Sequence, residues 1–478
     1  MQDVPKPVLL TFQERKAKEN ARLELRRISG YYYVYRAHNV WNKQLKKPTK
    51  ITQIVGSITP DGTYKPKRQK TNISTTQVYE YGNAELCLKL SQDIQNATEN
   101  MPLKNELLAL SIIRAIEPGP MRLAQTVWEN TYISKKIDAN LSPKNVSDTL
   151  SAIGNMVQET YELFAKLSPE TGMLFYDLTS VLSYSKKLTL AERGYNADWE
   201  SASQIKVAMA FSTSTWLPVA VDVFYGSLKE TKVLKYFIDR FPGVDLGFVM
   251  DRGFNSYKLL RDLKKENIHY IVPLKKNSTL LPSFAKMAGT FEYGKKRMVA
   301  FSKRSKRPCG FLYLFEDPLL RGEEEGFLLG QVNKGELSMD DYRAERRIAG
   351  VFGILSDLDV SERLVYEQYK EREEIEQVFD FMKNDLEADK TYLGRDDAVR
   401  GYFVVVFLAM RLYFKILKRL RERDLVGKVS VKEVLYALSK MRMIVEKSGN
   451  EYLCALPKKT ERILEVFSDI FIFGLEIL

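Results

Sequence analysis

Histidine is almost absent: His38 and His269 are the only two in 478 residues, too few for a histidine-based catalytic triad or a multi-histidine metal site. Cysteine is nearly as scarce. Cys87, Cys309 and Cys454 are isolated and odd in number, which gives neither a disulfide framework nor a zinc spacing, so they read as packed thiols in a reducing compartment. Long apolar runs are missing too. The longest, Tyr402 to Met410, stops at Arg411 and is too short to span a bilayer, while the opening MQDVPKPVLLTFQERK has no apolar core of a signal peptide. These absences predict neither secretion nor membrane insertion.

Carboxylates, in contrast, number 61. With so little histidine and cysteine, any hydrolytic or transfer chemistry must rely on them, and carboxylates favour hard cations such as Mg²⁺ or Mn²⁺. A hydrophobic content of 45% can bury a large core, and the length suggests two to four domains. The net charge of +12 is unevenly placed: residues 1–70 carry 16 Lys and Arg against 5 Asp and Glu. A basic region ahead of a nearly neutral body predicts a polyanion-binding front end or a solubilising arm.

Residues 11–28 read as a basic helix. In the segment that follows, Tyr31, Tyr32, Tyr33, Tyr35 and Trp41 interleave with Arg36, Lys43, Lys46 and Lys47. That mixture suits a small β-element that grips a phosphate backbone and stacks on bases, or one whose aromatics make its own core. From about Leu86 to Lys166 the pattern is helical, with segments near 103–116, 121–128 and 143–166. These could form a helix-turn-helix-like reader or a plain connecting bundle. Short apolar runs then predict strands at 173–177, 204–212, 217–224, 246–251, 268–273 and 348–354, with helices near 229–241 and 255–266. The order implies an α/β layer structure with a mixed sheet, its opening hairpins antiparallel and its later units parallel. Residues 274–347, rich in charge and in aromatic pieces such as GTFEYGKKRMVAFSKR, suit a β-rich insertion. After Asp389 the chain reads as helical to about Arg423, with a helical or mixed tail beyond.

Glu367 to Leu386, EQYKEREEIEQVFDFMKNDL, reads as one charged amphipathic helix. At about 100° per residue, Ile375, Phe379, Met382 and Leu386 share an apolar face, and Tyr369, Arg372, Glu376 and Lys383 form a stripe roughly 60° wide along its border. Such a row suits a metal-bound phosphate: the carboxylate holds the metal, Arg and Lys take phosphate oxygens, and Tyr donates a hydrogen bond. It also suits a solvated face laced with ion pairs. Asp177 and Asp251 each end an apolar run, where sites form in open α/β sheets. Facing Glu376, they would make a three-carboxylate pocket able to hold two divalent metals. Asp222, Glu373 and Asp380 are rival carboxylates that spacing alone does not exclude.

The set Y-D-L-T-S (176–180), D-R-G-F (251–254) and Tyr369-x2-Arg372-x3-Glu376-x6-Lys383 resembles the DDE transposases of bacterial and archaeal insertion sequences, in the group marked by a Tyr-Arg-Glu-Lys signature. The resemblance covers roughly residues 170–420. It implies an RNase H-like mixed sheet with helices, interrupted by a β-rich insertion, behind an N-terminal basic β-element and helical domain. The expected division is 1–85 for DNA binding, 86–169 for DNA binding or as a linker, 170–273 and 348–425 for the catalytic core, 274–347 for the insertion and 426–478 for the tail. Asp177, Asp251 and Glu376 become the expected catalytic metal ligands, binding Mg²⁺ or Mn²⁺, two ions in all. Tyr369, Arg372 and Lys383 become the expected phosphate contacts, joined by Lys43, Lys46 and Lys47 of the basic arm.

The implied activity is strand cleavage and transfer at the terminal inverted repeats of the element, cut-and-paste transposition by a homodimer on double-stranded DNA, in the cytoplasm and at the nucleoid. The alternatives are a transposase-derived protein that binds DNA without cutting it and a general RNase H-like nuclease. Two departures stand out. Relatives that hold a flipped base with a tryptophan carry it in the insertion, yet residues 274–347 contain none, so Phe291, Tyr293 or Tyr313 would have to serve. Ser227 stands where many relatives carry Asn.

Overall fold

The computed structural model describes residues 4–19, 22–28, 30–42, 47–67, 77–168, 171–193, 203–240, 245–283, 286–294, 297–454 and 456–471. The chain divides into two compact units, residues 1–76 with 446–448, and residues 77–445 with 449–478.

In the first unit, α1 (Lys6–Lys18) precedes β1 (Leu23–Ile28), β2 (Tyr31–Asn42), β3 (Lys47–Ile58) and β4 (Tyr64–Pro66), an antiparallel sheet in chain order. The helix expected over 11–28 therefore ends at Lys18. LELRRI is a strand because it pairs with β2 from Leu23↔Arg36 to Ile28↔Tyr31, which drops Leu23 into a small core with Val8, Tyr32, Val34 and Ile58. β1 covers β2 only as far as Arg36 and β4 covers β3 only from Gly56. The rungs from Ala37↔Thr52 to Asn42↔Lys47 thus form a two-stranded ribbon, on which Trp41 is 63% exposed.

The second unit opens with β5 (Gln77–Glu80) and the helices α2 (Gly82–Leu90), α3 (Gln92–Ala97), α4 (Lys104–Ile116), α5 (Ala124–Asn130), α6 (Pro143–Asn155) and α7 (Val157–Leu167). The strands β6 (Thr171–Ser183), β7 (Gln204–Ser212) and β8 (Pro218–Tyr225) follow, then α8 (Glu230–Asp239), β9 (Asp245–Val249), α9 (Tyr257–Lys265) and β10 (His269–Pro273). Residues 274–347 contribute β11 (Gly289–Tyr293), β12 (Arg297–Phe301), β13 (Ser305–Arg307) and β14 (Gly310–Glu316), then α10 (Pro318–Asn333) and α11 (Met339–Glu345). β15 (Val351–Ser356), α12 (Glu362–Lys370), α13 (Glu373–Asp380), β16 (Lys390–Thr391) and α14 (Asp396–Glu422) come next. The unit closes with α15 (Val431–Leu438), β17 (Arg442–Val445), β18 (Glu451–Leu453) and α16 (Lys458–Val466).

Among the described residues one mixed sheet runs β11-β12-β14-β15-β10-β9-β6-β7-β8, with β13 on β14 and β16 on β6. β6, β7 and β8 are antiparallel, and β6, β9 and β10 are parallel. β15 reverses the expected parallel run: it is antiparallel to β10 and bonds on its other edge to β14, so the strands of 274–347 extend the same sheet. QIKVAMAFS and PVAVDVFY are apolar on both faces and almost wholly buried, as a sheet covered on both sides requires.

The long helix α14 lies against α4, α6 and β8, and its residues 398–412 are buried apart from Arg400. Its apolar run is thus a core helix, and no helix among the described residues is long and apolar enough to cross a membrane. Two glycines allow α6 and α14 to meet backbone to backbone. A Cβ on Gly154 would run into the Asp397 carbonyl, and one on Gly401 into the Leu150 carbonyl.

Candidate active site

The last paired rung of β6 and β9 is Phe175↔Val249. Side chains alternate along a strand, so the next same-face position on each is an aspartate, Asp177 beside Asp251. Asp251 lies just past β9 and opens a tight turn, with the Phe254 amide donating to its carbonyl at 3.0 Å. Phe254 then packs edge-on against Tyr176, which anchors the turn in the core. Asp177 does not end its strand as expected. β6 continues to Ser183 on the edge of β7, which leaves Asp177 mid-strand and rigidly placed.

The stretch 367–386 is segmented rather than one helix. α12, capped by Ser361 accepting from the Leu364 amide at 3.3 Å, ends at Lys370. After a turn at Glu371–Arg372, α13 runs to Asp380 and the chain widens into a π turn over Phe381–Asp385. The apolar face survives: Ile375, Phe379, Met382 and Leu386 are all buried.

Arg372 stands at the junction with its side chain mostly buried. Its Nη2 is 2.8 Å from Glu376, its Nη1 is 3.5 Å from Asp177, and Nη2 is 3.8 Å from Asp251. One guanidinium is therefore ringed by the three carboxylates. Burial alone would loosen its proton, but Asp177, Tyr369, Asp251 and Glu376 together raise its pKa. Burial pushes the Asp177 carboxyl up to about 7, with Asp251 and Glu230 adding to the rise and the Leu178 amide and Arg372 opposing it. That amide donates to Asp177 at 2.8 Å. Burial also raises the Tyr369 phenol, against the pull of Arg372.

These residues line an open cleft of about 450 Å³ with Arg252, Lys276, Glu324 and Lys370 on its walls. Arg252 belongs to the D-R-G-F motif, whereas Lys276 and Glu324 come from residues 274–347, where no spacing pointed to them. The rival Asp222 is committed elsewhere, accepting from Tyr161 at 2.7 Å and pairing with Arg240 and Arg400. Asp380 is exposed and accepts from Asn384 at 2.6 Å.

Lys383 is not in this cleft. The π turn adds a residue to the helical register, stabilised by Phe381 stacking on Tyr413 with ring centroids 3.5 Å apart, and it carries Lys383 into a neighbouring cleft of about 870 Å³. Lys47 is exposed on β3 of the first unit, and Lys43 and Lys46 lie outside the described residues. The aromatics considered for holding a flipped base are structural: Phe291 and Tyr313 are buried and Tyr293 packs on Tyr366. Ser227 is exposed and its amide donates to Glu192 at 3.3 Å.

The family model for the transposase DDE domain matches residues 173–412, the span that holds both aspartates, Arg372 and Glu376. The chain belongs to this transposase DDE family. No curated protein matches it. A piggyBac transposase, solved as a synaptic complex with hairpin DNA, is similar in structure with a TM-score of 0.37, covering 83% of this chain and 82% of that one at 13% identity.

DDE transposases normally use divalent metal ions. Asp177, Asp251 and Glu376 could hold them here, because all three offer the hard oxygen donors such ions need and already gather round one cationic group. Among the described residues no three acidic, histidine or cysteine groups form a ready-made metal cage. The carboxylates meet at Arg372 instead, and Glu376 keeps 60% of its side chain exposed.

Proposed function

We propose that this DDE-family chain cleaves and transfers DNA strands at the terminal inverted repeats of an insertion sequence, moving it by cut and paste as a homodimer. The observation that carries the reading is the meeting of Asp177, Asp251 and Glu376 around Arg372, inside the span that matches the family. The strand order β8-β7-β6-β9-β10, third, second, first, fourth and fifth of the core, supports an RNase H-like centre. The signature at Tyr369, Arg372, Glu376 and Lys383 supports membership of the Tyr-Arg-Glu-Lys group. Residues 1–85 would serve DNA binding, 86–169 would bind DNA or act as a linker, and 274–347 would interrupt the catalytic core of 170–273 and 348–425.

In this reading Asp177, Asp251 and Glu376 hold two Mg²⁺ or Mn²⁺ ions. When bound, such a pair activates the attacking water or 3′-hydroxyl and neutralises charge on the leaving oxygen. The protein does the rest by position. Asp177 is fixed in the middle of a buried strand, Asp251 by a turn anchored on Tyr176, and Glu376 by a helix whose apolar face is buried. Arg372 is close enough to turn from the carboxylates to a non-bridging phosphate oxygen, with Tyr369 beside it as a hydrogen-bond donor. Arg252, Lys276 and Lys370 give the cleft further cationic walls for the scissile strand, and Lys383 holds a phosphate farther along.

The test is cleavage of DNA that carries the inverted repeats flanking the gene. Asp177→Asn, Asp251→Asn and Glu376→Gln should each lower cleavage by about a hundredfold or more, with DNA binding retained. Full activity in any of the three sinks the site assignment. Wild-type protein that shifts the repeats but never nicks them with Mg²⁺ or Mn²⁺ is a DNA-binding descendant, and equal cutting of DNA without the repeats marks a general nuclease.

A further inference from the structure

The cleft that receives Lys383 is a second site, separate from the carboxylates. Tyr392 lines it, and Tyr184 stacks on Tyr392 with ring centroids 5.6 Å apart and planes 19° apart; the two are 72% (Tyr392) and 56% (Tyr184) exposed. The pair is held rigidly. β16 bonds in parallel to the end of β6 at Leu182↔Lys390 and Ser183↔Thr391, the Tyr184 amide donates to the Thr391 carbonyl at 3.2 Å, and the Leu393 amide donates to the Thr391 hydroxyl at 3.2 Å. Two large rings fixed in solvent, with little of either buried, offer π faces for a planar ligand.

The charge around them is positive. Lys383, Arg122 and Lys390 line the cleft. Glu387 and Asp389 also line it, but Asp389 is paired with Lys390 at 3.5 Å. Arg114 is 3% exposed at the cleft wall. It donates to the Gly119 carbonyl at 2.7 Å, to the Tyr402 hydroxyl at 2.5 Å and to the Leu386 carbonyl. Its Nε has no partner, and among the described residues no carboxylate is within ion-pair distance of it. A buried guanidinium balanced only by neutral acceptors is costly unless an anion comes to the cleft.

We propose that this cleft binds an unpaired stretch of DNA leaving the catalytic site, its phosphates on Lys383 and Arg122, with the buried charge of Arg114 behind them, and a base stacked on Tyr392. Cationic grooves with aromatic platforms are how single strands are held without sequence preference. The distances suit the path. Lys383 is seven residues beyond Glu376 along the helical segment, about 10 Å, and Tyr184 is seven beyond Asp177 along β6, about 23 Å. At the 3.4 Å rise of a strand still stacked as in a duplex that is about three to seven nucleotides, and fewer where the strand is extended. The proposal rests on the reading that the neighbouring carboxylates act on DNA.

The experiment uses the full chain and two fluorescein-labelled probes, a 15-nucleotide single strand carrying 2-aminopurine and a 30-base-pair duplex. Wild type should bind the single strand and quench the 2-aminopurine. The double variant Tyr184→Ala/Tyr392→Ala should lose the quench and bind the single strand about tenfold more weakly, with duplex affinity little changed. Tyr392→Phe, which keeps the ring, should behave as wild type, and Arg122→Gln/Lys383→Gln should weaken single-strand binding and flatten its salt dependence. Quenching unchanged in the double alanine variant overturns the proposal. Wild type that binds duplex but not single strand overturns it while leaving the transposase reading intact, and wild type that binds neither overturns both.

Discussion

Arg372 Nη2 lies 2.8 Å from Glu376 Oε1, one helical turn away, and the same guanidinium faces Asp177 at 3.5 Å and Asp251 at 3.8 Å. A single arginine therefore offsets part of the charge of all three carboxylates at once. Three carboxylates left alone would repel one another, so Arg372→Ala should destabilise the metal-free protein. The cost should be about 2 kcal/mol, below that of a fully buried orphan charge because Glu376 is largely solvated. Mg²⁺ binds the folded state only and should restore much of the loss. Thermal melts of wild type and variant in EDTA and in Mg²⁺ measure this: the variant should gain more from Mg²⁺ than wild type does. An equal gain would mean that Arg372 does not balance the carboxylates.

Asp177 sets a pH dependence. Its folded-state pKa of about 7 stands above its ordinary value of 3.8, chiefly through burial. Between those values the folded state keeps a proton that the unfolded chain has released, so stability falls as pH rises through the window and stays lower above it. Asp177→Asn carries no such penalty. In EDTA the variant should melt higher than wild type at pH 8, with the gap closing toward pH 4. Metal binding requires the ionised carboxylate, so Mg²⁺ affinity of wild type should weaken by up to about tenfold per unit as pH drops below 7. Titration calorimetry across pH 5.5–8 checks the second effect.

The parts of this site that were legible in the sequence are those fixed by local periodicity. Ile375, Phe379, Met382 and Leu386 share a face on any helix, and that face orients Glu376. An apolar run ending in Asp251 likewise announces a strand end. What was hidden depends on distant partners. β6 runs past Asp177 because LTSVLS pairs with β7 and then with β16, about two hundred residues on. Lys383 leaves the Tyr369–Arg372–Glu376 row because Phe381 stacks on Tyr413 and the π turn follows, a contact no helical wheel contains. LELRRI carries a helix-like charge pattern and is a strand only because Tyr31–Arg36 pairs with it.

The meeting of Gly154 and Gly401 makes a stability prediction away from the chemistry. A methyl on either glycine would overlap a carbonyl oxygen of the facing helix, and backbone cannot step aside as a flexible side chain can. Gly401→Ala should therefore push α6 and α14 apart and cost about 1–3 kcal/mol or more, despite alanine's better helix propensity. Urea unfolding followed by circular dichroism should show a lower midpoint with an unchanged slope. A midpoint equal to or above that of wild type would show that the helices have room to separate freely.

The two readings of the basic arm divide between its own residues. Tyr32 is in the small core with Val34 and Leu23, so Tyr32→Ala should unfold the first unit. Trp41, on the two-stranded ribbon, is 63% exposed and lies outside that core, so its ring can meet a ligand. Neutralising Lys43, Lys46 and Lys47 to Gln should weaken binding of a duplex and flatten the slope of log K against log salt by about 0.9 for each lysine that touches a phosphate. Trp41→Ala should lower affinity and leave the slope unchanged, because a ring releases no counterions. Fluorescence anisotropy at three salt concentrations separates the two. If the triple lysine variant keeps the wild-type slope, residues 1–70 are a solubilising arm, and the duplex is held elsewhere.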